Sequence, residues 1–179
     1  MGEIRARDHV KRIAAVFAYD RSALDWLERR CASEWGAIEL RSDAWPVAET
    51  GYYHRSMGPG VLKQLWLFES LVEMDVLVGD KLRGGEWERE LAEQRSGAPP
   101  RPINIDSGYL SEAKLVLATT KDREHRLYIG QGIFAEVTLH YQKRVWTPWP
   151  WTYPDYRRPE VFEFLSQARS KLRRQLGRE

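Results

Sequence analysis

Apolar positions along this chain fall into two kinds of run, some continuous or alternating over strand lengths and some spaced three and four apart. Arg12 to Tyr19, RIAAVFAY, is a continuous run that stops at Asp20-Arg21-Ser22, where Asp20 or Ser22 is placed to cap a helix. Leu24, Leu27, Cys31 and Trp35 then recur at helical spacing, and Gly36 supplies the stop. A strand followed by a helix is predicted. AIELRSDAWPV, from Ala37 to Val47, reads as strand and irregular structure broken at Pro46. MGPG, from Met57 to Gly60, signals a turn, and LKQLWLFES from Leu62 to Ser70 alternates as a strand does, so a hairpin is the simplest connection. Leu77, Leu82, Trp87 and Leu91 carry a helical period through Glu73 to Gln94. Each glycine of Gly84-Gly85 lowers helix preference by about 1 kcal/mol relative to alanine, which predicts two helical pieces.

SGAPPRP is a loop, and the stretch after it, NIDSGYLSEAKLVLATTKDREHR from Asn104 to Arg126, sets polar groups on both sides of an apolar run. A short strand at 103–105, a turn at Ser107-Gly108 and a second strand through Leu115 to Thr119 are predicted. HRLYIG and GIFAEVTLHY form a hairpin around Gly130-Gln131-Gly132, with Phe134, Glu136, Thr138 and His140 alternating against Ile133, Ala135, Val137 and Leu139. VWTPWPWTYPDYRRP, residues 145–159, predicts an irregular clamp in which Trp149 and Trp151 are buried, and a basic amphipathic helix follows over 160–176. The pattern describes one α+β domain over residues 1–179. Its sheet is mostly antiparallel, its helices lie on one face, and its first half has ferredoxin-like elements.

Composition narrows the function classes. With 179 residues, 42% of them hydrophobic and 30% charged, the chain can bury a core as a single domain. A net charge of +2 does not demand a polyanionic partner. One cysteine, Cys31, excludes an internal disulfide framework and a multi-cysteine zinc site, and it suits a reducing cytoplasm. No apolar run approaches the roughly 18 residues of a membrane span, no signal-type segment follows MGEIRARDHVKR, and MGEIRA lacks the Ser or Thr of a myristoylation signal. Neither a P-loop nor a dinucleotide Gly-x-Gly-x-x-Gly is present. Thr120-Lys121-Asp122 stands near the Lys-x-Asp element with which GTPases read guanine but is one residue short.

Candidate chemistry gathers around the polar stretch. Lys114, Lys121, His125 and Arg126 would supply charge-assisted donors to an anion, with Asn104, Asp106 and Tyr109 orienting it and Glu136 and Asp155 within reach. The plainer alternative has Asp106 capping the Ser107-Gly108 turn and Lys121-Asp122 as an exposed bend. A divalent ion held by His125, His140 and Glu136 with Asp106 or Asp122 competes with a simple Glu136–Arg126 pair. No Gly-x-Ser-x-Gly elbow points to nucleophilic catalysis. Aromatics interleaved with Arg157 and Arg158, together with Arg169, Lys171, Arg173 and Arg174, offer RNA as the alternative partner. Cofactor, catalysis and oligomeric state do not follow from the residues.

NIDSGYL, KLVLATTKDREHRLYIGQGIFAEVTL and WTYPDYR, with the earlier YYHRSMG and LWLFESLV, occur in the order of blocks in the bacterial family known as domain of unknown function 4416, and the chain resembles it over nearly its whole length. The resemblance implies little function beyond an occasional GTP-binding label. The chain departs from that family's pattern at Ser107, where proline is usual, at Gly51, Arg55 and Ser56, where acidic residues are usual, and at Gly84-Gly85, where Thr-Asn is usual.

Overall fold

The computed structural model describes residues 8–47 and 56–178. Strand β1 (Val10–Ala18) is buried at every position except Arg12, because it is central and covered on both faces. It pairs antiparallel with β4 (Leu62–Val72) on one side and β5 (Ile103–Leu110) on the other. Helix α1 (Arg21–Trp35) starts where Asp20 accepts hydrogen bonds from Ala23 N at 2.7 Å and Ser22 Oγ at 3.1 Å, so Asp20 is the cap and Ser22 supports it. Strands β2 (Ile38–Arg41) and β3 (Trp45–Pro46) both pair with β4, and helix α2 (Val76–Gln94) leads from β4 to β5. The order β2-β4-β1-β5, with α1 and α2 as crossovers, is the ferredoxin-like arrangement expected of the first half.

Strands β6 (Lys114–Thr119), β8 (Ile133–Gln142) and β7 (Leu127–Gly130) extend this sheet, and β9 (Val145–Pro148) pairs with the C-terminal half of β8. Every pairing is antiparallel. β7 forms the sheet's outer edge, and its Leu127, Tyr128 and Ile129 are exposed. A 3-10 turn over Pro154–Arg157 precedes helix α3 (Pro159–Gln175), which places Pro at its first position.

Several expectations change here. The helices do not share one face. Ala14, Val16 and Ala18 pack with α1 and α2, whereas Ile13, Ala15 and Phe17 pack with Val161, Phe164, Leu165 and Ala168 of α3. The continuous apolar run of β1 demands this, since both of its faces need cover. Helix α2 runs unbroken through Gly84-Gly85. Gly84 is buried, and a Cβ there would lie 2.5 Å from Ile105 Cγ2, so the glycine is where the helix presses on the sheet. β5 likewise continues through Ser107-Gly108, and the turn falls at Ser111, whose Oγ accepts from Ala113 N and Lys114 N. The Trp/Pro segment is irregular only after β9. Trp151 is 37% exposed and Trp149 half-buried, not enclosed as a clamp would be. Among the described residues no helix is long and apolar enough to cross a membrane.

Candidate functional site

Pairing between β5 and β6 covers only Gly108–Leu110 against Leu115–Leu117. Gly108 stands where the two strands come closest; a Cβ there would be 2.3 Å from the Val116 carbonyl oxygen. Toward Ile103 the strands part, and α2 supplies what a neighbouring strand would have supplied. Lys81 Nζ donates to the Ile105 carbonyl at 2.7 Å, and Glu88 Oε1 accepts from Ile105 N at 3.0 Å. Both side chains lie on the helix face turned to the sheet, seven residues apart, which is two turns. Ile105 is fully buried, so leaving its amide and carbonyl without partners would cost about 1–3 kcal/mol each.

The gap between the parted strands opens into a cavity of about 500 Å³ on the face that carries α3. Trp45, Phe17 and Asn104 of its floor stand on one register line across β3, β4, β1 and β5, with Lys63 buried between Trp45 and Phe17 on the same line. Lys63 is fully buried, with its Nζ 3.6 Å from the Tyr156 ring centroid, 4.8 Å from Phe17 and 5.9 Å from Trp45. Burial pushes its ammonium below the usual lysine value, and the ion pair with Asp155 opposes that. Because Asp155 sits in the 3-10 turn, this pair fastens the 153–158 segment over the sheet as the cavity's roof.

Asp106 receives Lys81 Nζ at 3.2 Å. Asn104 is 3% exposed; its Oδ1 accepts from Arg101, itself held by Glu88 at 2.8 Å, and its Nδ2 has no partner among the described residues. Across the gap, Glu136 on β8 accepts from Arg126 Nε at 2.9 Å, and its Oε2 lies 3.1 Å from His125 Nε2. Arg126 also donates to the Lys121 carbonyl at 3.0 Å, tying the β6–β7 loop to the wall. Outside the cavity four rings form a column: His125 on Trp151 (5.2 Å, 13°), Trp151 on Trp149 (5.2 Å, 8°) and Trp149 on His140 (4.3 Å, 33°).

Asn104, Asp106, Lys121, Arg126, Glu136 and Asp155 therefore line one cavity, and His125 touches it through Glu136. Tyr109 and Lys114 do not line it. Tyr109 is buried with Val10, Leu77 and Val116, where burial pushes its phenol up, and Lys114 pairs with His140 at the far end of β6. Asp106 caps no turn, because β5 has none at that point. Among the described residues no group of three His, Cys, Asp or Glu side chains is arranged to hold a metal ion; Glu136 is engaged by Arg126 and His125, and His140 lies against Trp149. Lys81 and Arg101 line the cavity without having been singled out in the sequence, and Arg158, read there as part of an RNA platform, lines it too. Lys81 had a signal, since it occupies the buried stripe of α2 with Leu77 and Gly84, at spacings of four and three.

A family model described as domain of unknown function, DUF4416, matches residues 8–172. The chain belongs to this family. No curated protein and no solved structure matches it. Of the positions that the resemblance set apart from the usual family pattern, Gly51 and Arg55 lie outside the described residues. Gly84 and Ser107 face one another behind β5, where a Cβ on Gly84 would be 3.6 Å from Ser107 Oγ, so neither is in the cavity.

Proposed function

We propose that this protein binds an anionic, nucleotide-sized small molecule in the cavity between β5 and β6. The observation that carries this reading is charge. Six cationic side chains line the cavity against three carboxylates, and each carboxylate already has a cation of its own: Lys81 for Asp106, Arg126 for Glu136 and Lys63 for Asp155. Glu88 offsets Arg101 from behind the wall and Glu160 lies 3.5 Å from Arg158, yet the cations of the lining still outnumber its carboxylates six to three. A volume of about 500 Å³ falls within the roughly 300–1,000 Å³ of small-molecule sites, and Phe17, Trp45, Leu117 and Tyr156 give it apolar walls. A cytoplasmic location belongs to this reading, since Cys31 is a free and buried thiol.

Thermal unfolding with inorganic phosphate and with AMP tests the reading. Ligand at a hundredfold excess over Kd should add about 2.7 kcal/mol of stability. Lys121→Ala and Asp106→Asn should reduce the shift, and no shift with either anion would count against the site. RNA is the second reading, favoured by the exposure of Trp151 and Tyr153. Against it, Trp151 already stacks with His125 and with Trp149, so a base would compete with rings of the protein for it.

A further inference from the structure

The three carboxylates that line the cavity, Asp106, Glu136 and Asp155, are not equally engaged. Glu136 uses both oxygens, Oε2 for Arg126 and His125 and Oε1 for Thr138 Oγ1 at 3.4 Å. Asp155 is held through Oδ2 by Lys63, which is not itself part of the lining. Asp106 is held through Oδ1, by Lys81 at 3.2 Å, and 29% of its side chain is exposed, so among the described residues its Oδ2 is open. Lys81 also lines the cavity. Its ammonium has three protons, and the Ile105 carbonyl and Asp106 Oδ1 take two of them. An unused acceptor and an unused donor therefore stand side by side where α2 meets β5.

A hydroxyl is the neutral group that answers both, since it donates its proton and accepts on its oxygen. An NH2 group would serve Asp106 but turn a donor toward Lys81, and a carbonyl would serve Lys81 but set an acceptor against Asp106. Across the gap the chemistry changes. Continuing the register of the last rung, Gly108–Leu117, sets Asp106 opposite Thr119, where the strands have parted. Thr119, Thr120, Lys121 and Arg123 line that side, whereas Asp122 and Glu124 of the same loop do not. The loop is fixed, because Thr119 Oγ1 accepts from Lys121 N at 3.2 Å and the Arg123 carbonyl accepts from Arg126 N at 2.9 Å. Arg123 is exposed and its side chain has no partner among the described residues, which leaves its guanidinium for a phosphate. From this we propose that the ligand is a sugar phosphate, free or as the ribose phosphate of a nucleotide, with a hydroxyl between Asp106 and Lys81 and its phosphate across the gap at Arg123. The inference rests on the cavity being a ligand site, and it names the class of ligand and its orientation.

Calorimetric titration of the full chain with two pairs of phosphates tests it: D-ribose 5-phosphate against n-pentyl phosphate, and AMP against 2′,3′-dideoxy-AMP. Each pair keeps the phosphate and removes the hydroxyls. The hydroxylated member should bind at least about tenfold more tightly in one pair or both, and the tighter pair tells a free sugar from a nucleotide. Asp106→Ala should erase that preference, while Arg123→Ala should weaken both members of a pair by a common factor. The comparison on the parent chain stands by itself should Asp106→Ala not fold. Equal affinity within both pairs, a preference that survives Asp106→Ala, or affinities untouched by Arg123→Ala would overturn the inference and leave the anion site standing. Binding of none of the four at millimolar concentration would overturn the site itself.

Discussion

Gly84 and Gly85 are neighbours in sequence and opposites in structure. A Cβ at Gly84 would press on Ile105 at 2.5 Å, while at Gly85 it would meet only the flexible end of Arg89 at 3.6 Å. Gly85→Ala should therefore stabilise the protein by about 0.5–1 kcal/mol through helix propensity. Gly84→Ala should destabilise it by about 1–3 kcal/mol despite the same propensity gain, because α2 must lift from β5. Urea unfolding of the two variants side by side measures the contrast. Lys63 offers a second test at this scale. Its ammonium is fully buried, and Asp155 is the charge that sustains it, so Asp155→Ala should cost about 3–5 kcal/mol near neutral pH. The sign of the pH dependence follows from the lowered lysine value. The unfolded chain holds the Lys63 proton to higher pH than the folded one does, so stability rises with pH through that window. The deficit of the variant should shrink as the pH is raised from neutral toward about 10, where Lys63 can stay folded without its proton. A deficit that is constant with pH would place the cost elsewhere than in the stranded charge.

At the scale of elements, α2 takes the place of a strand. Lys81 and Glu88 hold the Ile105 carbonyl and amide where β6 has turned away, and this exchange of a strand partner for two side chains creates the gap. Glu88→Ala should speed amide hydrogen exchange at Ile105 while leaving the amides that pair β5 with β1 slow, and it should also loosen Arg101 and with it Asn104. Uniformly faster exchange along β5 would mean that the helix is only a cover. Much of the element order was legible in the sequence: the apolar run of β1, the helical spacing of α1 and the alternation of β8 each follow from a local period. Local period says nothing about where two paired strands separate, so Ser107-Gly108 read as a turn. It is a strand whose glycine permits a close approach to Val116. Lys63 and Lys81 were visible as cations in apolar rows. Their partners, Asp155 and Asp106, lie 92 and 25 residues away, and no local pattern links them.

At the scale of the molecule, α3 is a structural lid whose basic residues are largely engaged. Arg173 and Arg178 pair with Glu112, Lys171 with Glu39, and Arg169 donates to the Glu112 carbonyl at 2.7 Å while lying over Tyr141. Deleting the tail from Arg169 onward would strip Leu172 from the core, so charge reversal at Arg174 is the cleaner probe of RNA binding. Arg174→Glu should leave phosphate and AMP binding unchanged. An affinity for single-stranded RNA that falls with salt at a log-log slope of about −0.7 per contacted phosphate, and that flattens in this variant, would move the functional surface to α3. Six of the nine candidate site residues came together because they sit on neighbouring strands, on the β6–β7 loop or on the 3-10 segment that crosses the sheet, whereas Tyr109 faces the other side of the sheet. The outer strand β7 has a practical consequence. From Leu127 to Ile133 it carries no charge and no proline, and its Leu127, Tyr128 and Ile129 meet water beside a row of open backbone groups. Shelf life at high concentration should be set by this rim and not by the melting point, and Ile129→Lys should lengthen it without altering the unfolding midpoint.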